Sequence, residues 1–362
     1  MNANSPVDPN SPASSASPAS SASPASLASP AGEASATPPT GPANNVVLTV
    51  TPNPAVDLTY TVAGVHLGSS HRVPTPLSRA GGKGLNVSRV AHQLGHPTLA
   101  IATAGGATGE QLRQDLESAG IWHQLVSVAA PTRRTIALVD TAANNTTSIF
   151  NEVGPALAAA EWQALAAAVV DNLAGVQTPH GVRRPGVLVG SGSLPDQAPA
   201  DFYPALVALA HAAGVPAIID TSGDGILAAA KAGADLLKPN NHELMEAVGE
   251  SNLVAAARTL MRLGARRVLV SVGEEGMLAL SADAPGRYLQ ARLPAPLSGN
   301  PTGAGDAAVS AAAVALANGE ADLREILRQA TAWSAAAVLM PGAGEISPTY
   351  AELASALIVT DH

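Results

Sequence analysis

From Thr98 onward the sequence alternates short β-branched apolar runs with segments of helical spacing, and this rhythm limits the fold more than any other feature. Leu99 to Thr103, Val187 to Gly190, Ala217 to Asp220, Asp235 to Leu237 and Val268 to Val272 read as buried strands. Between them, Gly109 to Ser118, Ala156 to Leu173, Pro199 to Ala213, Gly225 to Ala232 and Asn241 to Leu263 read as helices. Strands that alternate with helices build an α/β fold around a mainly parallel sheet, because parallel neighbours need a crossover to connect them. Ligands of such sheets bind outside the carboxyl ends of the strands, so the loops at those ends are the first places to look for chemistry.

Ahead of this rhythm, Val46 to Thr51 is one more apolar strand, ending at Pro52-Asn53-Pro54 and followed at once by Asp57. Asp57 to Val65 and His71 to Leu77 alternate polar and apolar residues, as half-exposed strands do, and so do Thr135 to Asp140 and Thr146 to Phe150. These predict a small β-lid, with strands from about 57–78 and 133–151, rather than a second full domain. Residues 1–45 hold Ser, Pro, Ala and Gly, with a near-repeat of SPASSA from Ser11 to Ala34. That stretch has too little apolar bulk to offset its ordering entropy and is expected to be a disordered tail before a domain over 46–362.

Composition narrows the function classes. A chain of 362 residues that is 46% hydrophobic can bury a large core, and its net charge of -9 lacks the basic face that nucleic acid requires. The absence of cysteine excludes disulfides and thiolate chemistry, and no apolar run approaches the roughly 18 residues of a membrane span. None of the nine histidines has metal-ligand spacing. These features predict a cytoplasmic globular protein with no nucleic-acid or membrane partner. Of 19 basic residues only three are lysines, Lys83, Lys231 and Lys238. A lysine retained in such an arginine-rich chain suggests a position that needs a compact, flexible ammonium.

Four loops carry candidate chemistry. Gly303-Ala304-Gly305-Asp306 precedes an Ala-rich helix from Ala307 to Leu316, so unshielded backbone amides lie where the helix dipole favours an anion. Asp306 in the first turn is either a dipole-stabilised carboxylate or a base beside a bound phosphate. Gly81-Gly82-Lys83-Gly84 also opens a helix, yet it is neither a Walker A loop nor a dinucleotide fingerprint, since Gly84 and Val87 stand where those need other residues. It is a tight turn or an anion site of amides plus one ammonium. Lys238-Pro239-Asn240-Asn241-His242-Glu243 reads as a capping box, or as a pair, Asn240 and Glu243, holding hydrated Mg2+. Ser271-Val272-Gly273-Glu274-Glu275-Gly276 reads as a hairpin turn, with a nucleotide-edge contact as the alternative.

The order and separation of these loops resemble the PfkB (ribokinase-like) family of sugar kinases over the chain after the tail. Within it, Thr51-Pro52-Asn53-Pro54-Ala55-Val56-Asp57, Thr132-Arg133, Asn151-Glu152-Val153-Gly154-Pro155 and Ser191-Gly192-Ser193-Leu194-Pro195 resemble the branch that contains 1-phosphofructokinase and tagatose-6-phosphate kinase. The resemblance implies a ribokinase-like three-layer fold, with helices flanking the parallel sheet and a small β-sheet lid. It also implies ATP- and Mg2+-dependent phosphorylation of a ketohexose monophosphate.

In that family's terms Asp306 would be the general base, and the amides of Gly303, Ala304 and Gly305 the anion hole. Asn240 and Glu243 would position Mg2+. Lys83 and Arg133 would hold the phosphate already on the sugar, and Asp57, Gly82 and Asn86 its hydroxyls. Lys238, Ser271, Gly273 and Gly276 would belong to the ATP site. Asn300-Pro301-Thr302 departs from the residues common before the glycine loop, and Ser148-Ile149-Phe150 from the usual lid strand. A non-catalytic sensor on this fold could dispense with Asp306, and a nicotinamide-dependent dehydrogenase would need the fingerprint that Val87 breaks. Unpaired edges of the lid invite a homodimer.

Overall fold

The structure is a computed structural model that describes residues 45–143, 146–178 and 181–362. The expected disordered tail lies outside the described residues, apart from Asn45. Ten strands form one sheet. From one edge it starts with Ile358–Asp361, Leu289–Arg292, Met277–Ser281 and Arg267–Ser271, and continues through Leu236–Leu237, Ala217–Asp220 and Pro185–Ser191. Val46–Thr51, Thr98–Ala104 and His123–Ser127 complete it. From Arg267–Ser271 to His123–Ser127 all neighbours are parallel, while the three strands at the other end pair antiparallel.

Helices cover both faces, and the strand sequences show why. Val46–Thr51 is buried at every position. Its side chains alternate between two cores, Leu48 and Val50 entering one and Val47 the other. The second core is built around the helix Ala304–Ala317, whose run of small residues is buried from Asp306 to Ala317. A helix that is apolar all round must be enclosed. Here Lys83–Gln93 and Leu323–Val338 pack against it. Alanine side chains let these helices approach closely, which fixes the height of the Asp306 turn above the sheet.

A separate four-stranded sheet has the order Leu77–Gly81, Ala55–Val62, Arg133–Asp140, Thr146–Asn151. It is the small sheet that the early alternating segments predict. The strand expected at His71 to Leu77 is not there: residues 71–76 have no regular structure, and the strand begins at Leu77. Pro74 and Pro76 each remove a ladder donor, which excludes this segment from the sheet. The helix expected from Asn241 to Leu263 is two, Asn241–Val248 and Leu253–Leu263. Gly249 ends the first in a left-handed conformation, and the Asn252 side chain caps the second through the Ala255 amide. Among the described residues no helix is long and apolar enough to cross a membrane.

Candidate active site

The parallel strands end side by side, and their last residues carry the site. Ser191 and Asp220 are register partners at the carboxyl ends of Pro185–Ser191 and Ala217–Asp220. Lys238 directly follows Leu236–Leu237, and an isolated parallel bridge joins Asn240 to Ser271. The helices that follow aim their N-termini over the same edge.

Asp306 lies in the first turn of its helix, only 7% exposed, and accepts a 2.7 Å hydrogen bond from Asn86 Nδ2. Burial pushes its carboxyl up to about 7, with the Asp220 charge adding to the rise, while Lys83, Asn86 and Lys238 oppose it. A carboxylate held near neutrality is well placed to accept a proton.

Gly303 caps that helix at φ 85°, and a Cβ there would lie 2.7 Å from Ala343, so the loop conformation and the contact both require glycine. Asn300 shapes the approach: its side chain accepts from the Thr302 amide at 3.0 Å and donates to the Pro341 carbonyl at 3.0 Å. Of the three amides expected to face an anion, that of Ala304 is already engaged, donating to the Pro301 carbonyl at 3.1 Å. Pro301 thus closes the turn with its carbonyl although it brings no amide of its own.

Lys83, at the start of Lys83–Gln93, and Lys238 converge on one carboxylate. Lys83 Nζ is 3.4 Å from Asp220 Oδ2, and Lys238 Nζ is 3.4 Å from Asp220 Oδ1. Asp220 raises the Lys83 ammonium above its ordinary range against the effect of burial, with Asp306 and Glu243 adding to the rise. Burial alone would raise Asp220, but Lys238, Lys83 and a hydrogen bond from Ser191 outweigh it and hold the carboxyl below its ordinary range. Lys238 also reaches the glycine loop, its Nζ 3.2 Å from where a Cβ on Gly305 would be.

A second cluster lies on the small sheet. Asp57 pairs with Arg79 and Thr135 on the flanking strands, and Ala55 with Arg133. Arg133 Nε donates to Asn53 Oδ1 at 3.1 Å and Nη2 to the Asn53 carbonyl at 3.2 Å. Burial pushes Asp57 up to about 6, opposed by a hydrogen bond from Thr135 and by the Arg133 and Arg89 guanidinium groups. Burial draws Arg133 below its ordinary value against the pull of Asp57 and Glu152. Lys83 and Arg133, read from the sequence as one cationic pair, therefore answer to different carboxylates, Asp220 and Asp57. Gly82 is the N-cap that separates Gly81, the strand partner of Ala55, from Lys83.

Asn240 and Glu243 form the capping box: Asn240 Oδ1 accepts from the Glu243 amide at 2.8 Å, and Glu243 Oε2 from the Asn240 amide at 2.9 Å. Among the described residues no cluster of three or more acidic, histidine or cysteine side chains could cage a metal. Ser271, Gly273 and Gly276 lie in the turn between Arg267–Ser271 and Met277–Ser281, a tight hairpin with a 3₁₀ turn at Gly273–Glu275.

Two groups at the site were not singled out from the sequence. Asp220 has a weak signal, an acid as the last residue of an apolar strand at the ligand edge of a parallel sheet. Arg79 pairs with Glu345 and donates to the Ala343 carbonyl at 3.3 Å, tying the small sheet to the loop that packs on Gly303. Nothing local in either segment marks that contact.

Comparison with known proteins identifies the family. Residues 50–350 match the model of the pfkB family of carbohydrate kinases. A 1-phosphofructokinase of Xanthomonas campestris is 34% identical over 321 residues, 86% of this chain and 97% of that protein. An ATP-dependent 6-phosphofructokinase isozyme 2 of Mycobacterium tuberculosis is 35% identical over 304 residues, 82% of this chain and 85% of that protein. Among solved structures, phosphofructokinase-2 from Escherichia coli in complex with fructose-6-phosphate superposes with a TM-score of 0.75 at 29% identity, covering 86% of this chain and 98% of that one. The chain belongs to the pfkB family of carbohydrate kinases.

Proposed function

We propose that the protein transfers the γ-phosphoryl group of ATP to a hydroxyl of a ketohexose monophosphate, giving the bisphosphate and ADP. The observation that carries this reading is the division of the site into two charged clusters. The inner one holds a buried carboxylate of raised pKa at a helix N-terminus beside two ammonium groups, and the outer one holds Asp57 and Arg133 on the small sheet. The first suits phosphoryl transfer, and the second suits an acceptor that already carries a phosphate.

The acceptor hydroxyl gives its proton to Asp306 as its oxygen bonds to the γ-phosphorus and the bond from phosphorus to the ADP oxygen breaks. Such a transfer needs positioning and charge neutralisation more than covalent help from the protein. The amides of Gly303 and Gly305, with Lys83 and Lys238, meet the charge on the equatorial oxygens, and Ala304 keeps the turn closed. Asn86 holds the base and, with Asp57 and Gly82, the sugar hydroxyls. Arg133 takes the resident phosphate. Ser271, Gly273 and Gly276 line the nucleotide side.

The Asn240 and Glu243 cap leaves Glu243 Oε1 outside its hydrogen bonds. That donor set fits Mg2+ carried mainly by waters and substrate phosphates, as this ion prefers. When bound there, the ion would neutralise phosphate charge.

Fructose 1-phosphate and tagatose 6-phosphate are the leading acceptors, and the Mycobacterium relative favours fructose 6-phosphate as the other reading. ADP release is the test, measured with these three phosphates and with the unphosphorylated sugars and nucleosides. Release with at least one phosphate and not with the unphosphorylated compounds is expected. The opposite pattern would overturn the acceptor class. We also propose a homodimer through the small sheet, whose edge strands expose Leu77, Ile149 and Phe150. A monomer in sedimentation would contradict it.

A further inference from the structure

We propose that Asp220 is a positioning residue that holds Lys83 and Lys238 together as one two-pronged cation beside Asp306. This rests on the kinase reading and adds to it a residue which that reading does not use.

The geometry is specific. Asp220 is 1% exposed at the end of a central strand, and each carboxylate oxygen faces a different lysine at 3.4 Å. Ser191 Oγ donates to Oδ2 at 3.1 Å, whereas Oδ1 makes no hydrogen bond at all. At 3.4 Å both ammonium groups lie beyond the roughly 2.7–3.2 Å of a close hydrogen bond and are held mainly by charge, Lys83 through a long hydrogen bond to Asp220 and Lys238 on an oxygen that makes none. The lysines are therefore gathered but not saturated, and their remaining protons stay available to an incoming phosphoryl oxygen.

Without a carboxylate between them the two ammonium groups would repel, the more so because Lys238 is buried, at 4% exposure, although Lys83 at 36% is partly open to water. The charge balance fits the same role. Lys83 and Lys238 offset Asp220 and an ionised Asp306, so the inner cluster is neutral before a phosphoryl group arrives. Lysine rather than arginine at both positions also fits, since a compact ammonium can exchange one oxygen partner for another where a guanidinium fork would be fixed in one geometry.

Asp306 is faced by Asn86, Lys83, Lys238 and Asp220, and of these only Asp220 brings negative charge. Removing that charge favours ionisation of Asp306. The acid limb of the turnover profile then moves to lower pH even as turnover falls. A residue that only supports the fold would lower turnover and leave the limb in place.

Because the chain has three lysines, protein labelled with 13C and 15N at lysine alone gives a small set of signals in which Lys231 is the internal control. In full-length Asp220→Asn, the ammonium signals of Lys83 and Lys238 are expected to move and exchange faster while that of Lys231 stays. Turnover should fall on the order of tenfold or more, with the acid limb displaced downward. Asp220→Glu, which keeps the charge, should restore the limb. If Asp220→Asn does not fold, Ser191→Ala removes one hydrogen bond from the same carboxylate and should shift the Lys83 and Lys238 signals alone. Unchanged signals at both lysines, or lost turnover with an unmoved acid limb, would overturn the proposal. A wild-type protein that phosphorylates no sugar phosphate would instead overturn the kinase reading, and the lysine signals would still report on Asp220.

Discussion

Asn86 Nδ2 donates a 2.7 Å hydrogen bond to Asp306 Oδ2, joining the start of one buried helix to the first turn of another. The contact favours the ionised carboxylate and fixes its direction. In Asn86→Ala, Asp306 should ionise at higher pH, and the acid limb of turnover should move upward. A pH–rate profile of the variant checks this, and an unmoved limb would remove Asn86 from the control of the base.

Asp306 also links stability to pH. Its folded pKa of about 7 lies above the ordinary carboxylate value, so the folded state favours the protonated form. That stabilisation is complete below the unfolded pKa of roughly 4 and is lost as pH rises through about 7. Asp306→Asn should therefore be more stable than the parent at pH near 8, on the order of 1–3 kcal/mol, with the difference fading toward pH near 4. Urea denaturation at both pH values checks it.

Gly81 is needed for the place of Asp57. A Cβ on Gly81 would lie 1.9 Å from Asp57 Oδ2, so Gly81→Ala must displace that carboxylate. The sugar-phosphate KM should rise by about tenfold or more while nucleotide affinity stays, with a loss of roughly 1–3 kcal/mol in stability. Steady-state kinetics and a thermal melt separate the two effects.

Arg133 donates Nε and Nη2 to the Asn53 side chain and carbonyl, and Nη1 at 3.4 Å to the Thr135 hydroxyl and the Glu152 carbonyl. A lysine keeps the charge but cannot reproduce that fork. Arg133→Lys should raise the KM for a phosphorylated acceptor with a smaller effect on kcat. An equal fall in kcat and kcat/KM would place Arg133 in the transition state instead.

The loops were legible in the sequence because each is a local pattern at a helix start: glycine just before the helix in Gly81 to Asn86 and in Gly303 to Asp306, and a capping box just after a strand in Lys238 to Glu243. All three meet at one edge of the sheet. Both structural corrections were legible too, in Pro74 and Pro76 and in the succession of Gly249 and Asn252. Asp220 was not, because its surroundings come from Lys83 and Lys238, far apart in the chain and close only once the sheet forms. The raised pKa of Asp306 was hidden for the same reason, since it depends on burial by neighbouring helices and on the charge of Asp220. Arg79 and Glu345 meet across the structure with nothing in either segment to announce it.

In the proposed transfer Asp306 takes the proton from the acceptor hydroxyl. The direct measurement is turnover of Asp306→Asn with ATP and a ketohexose phosphate that the parent accepts, beside ATP affinity by calorimetry. Turnover should fall on the order of 10²-fold or more while ATP affinity is unchanged. Near-normal turnover in the variant would contradict the account.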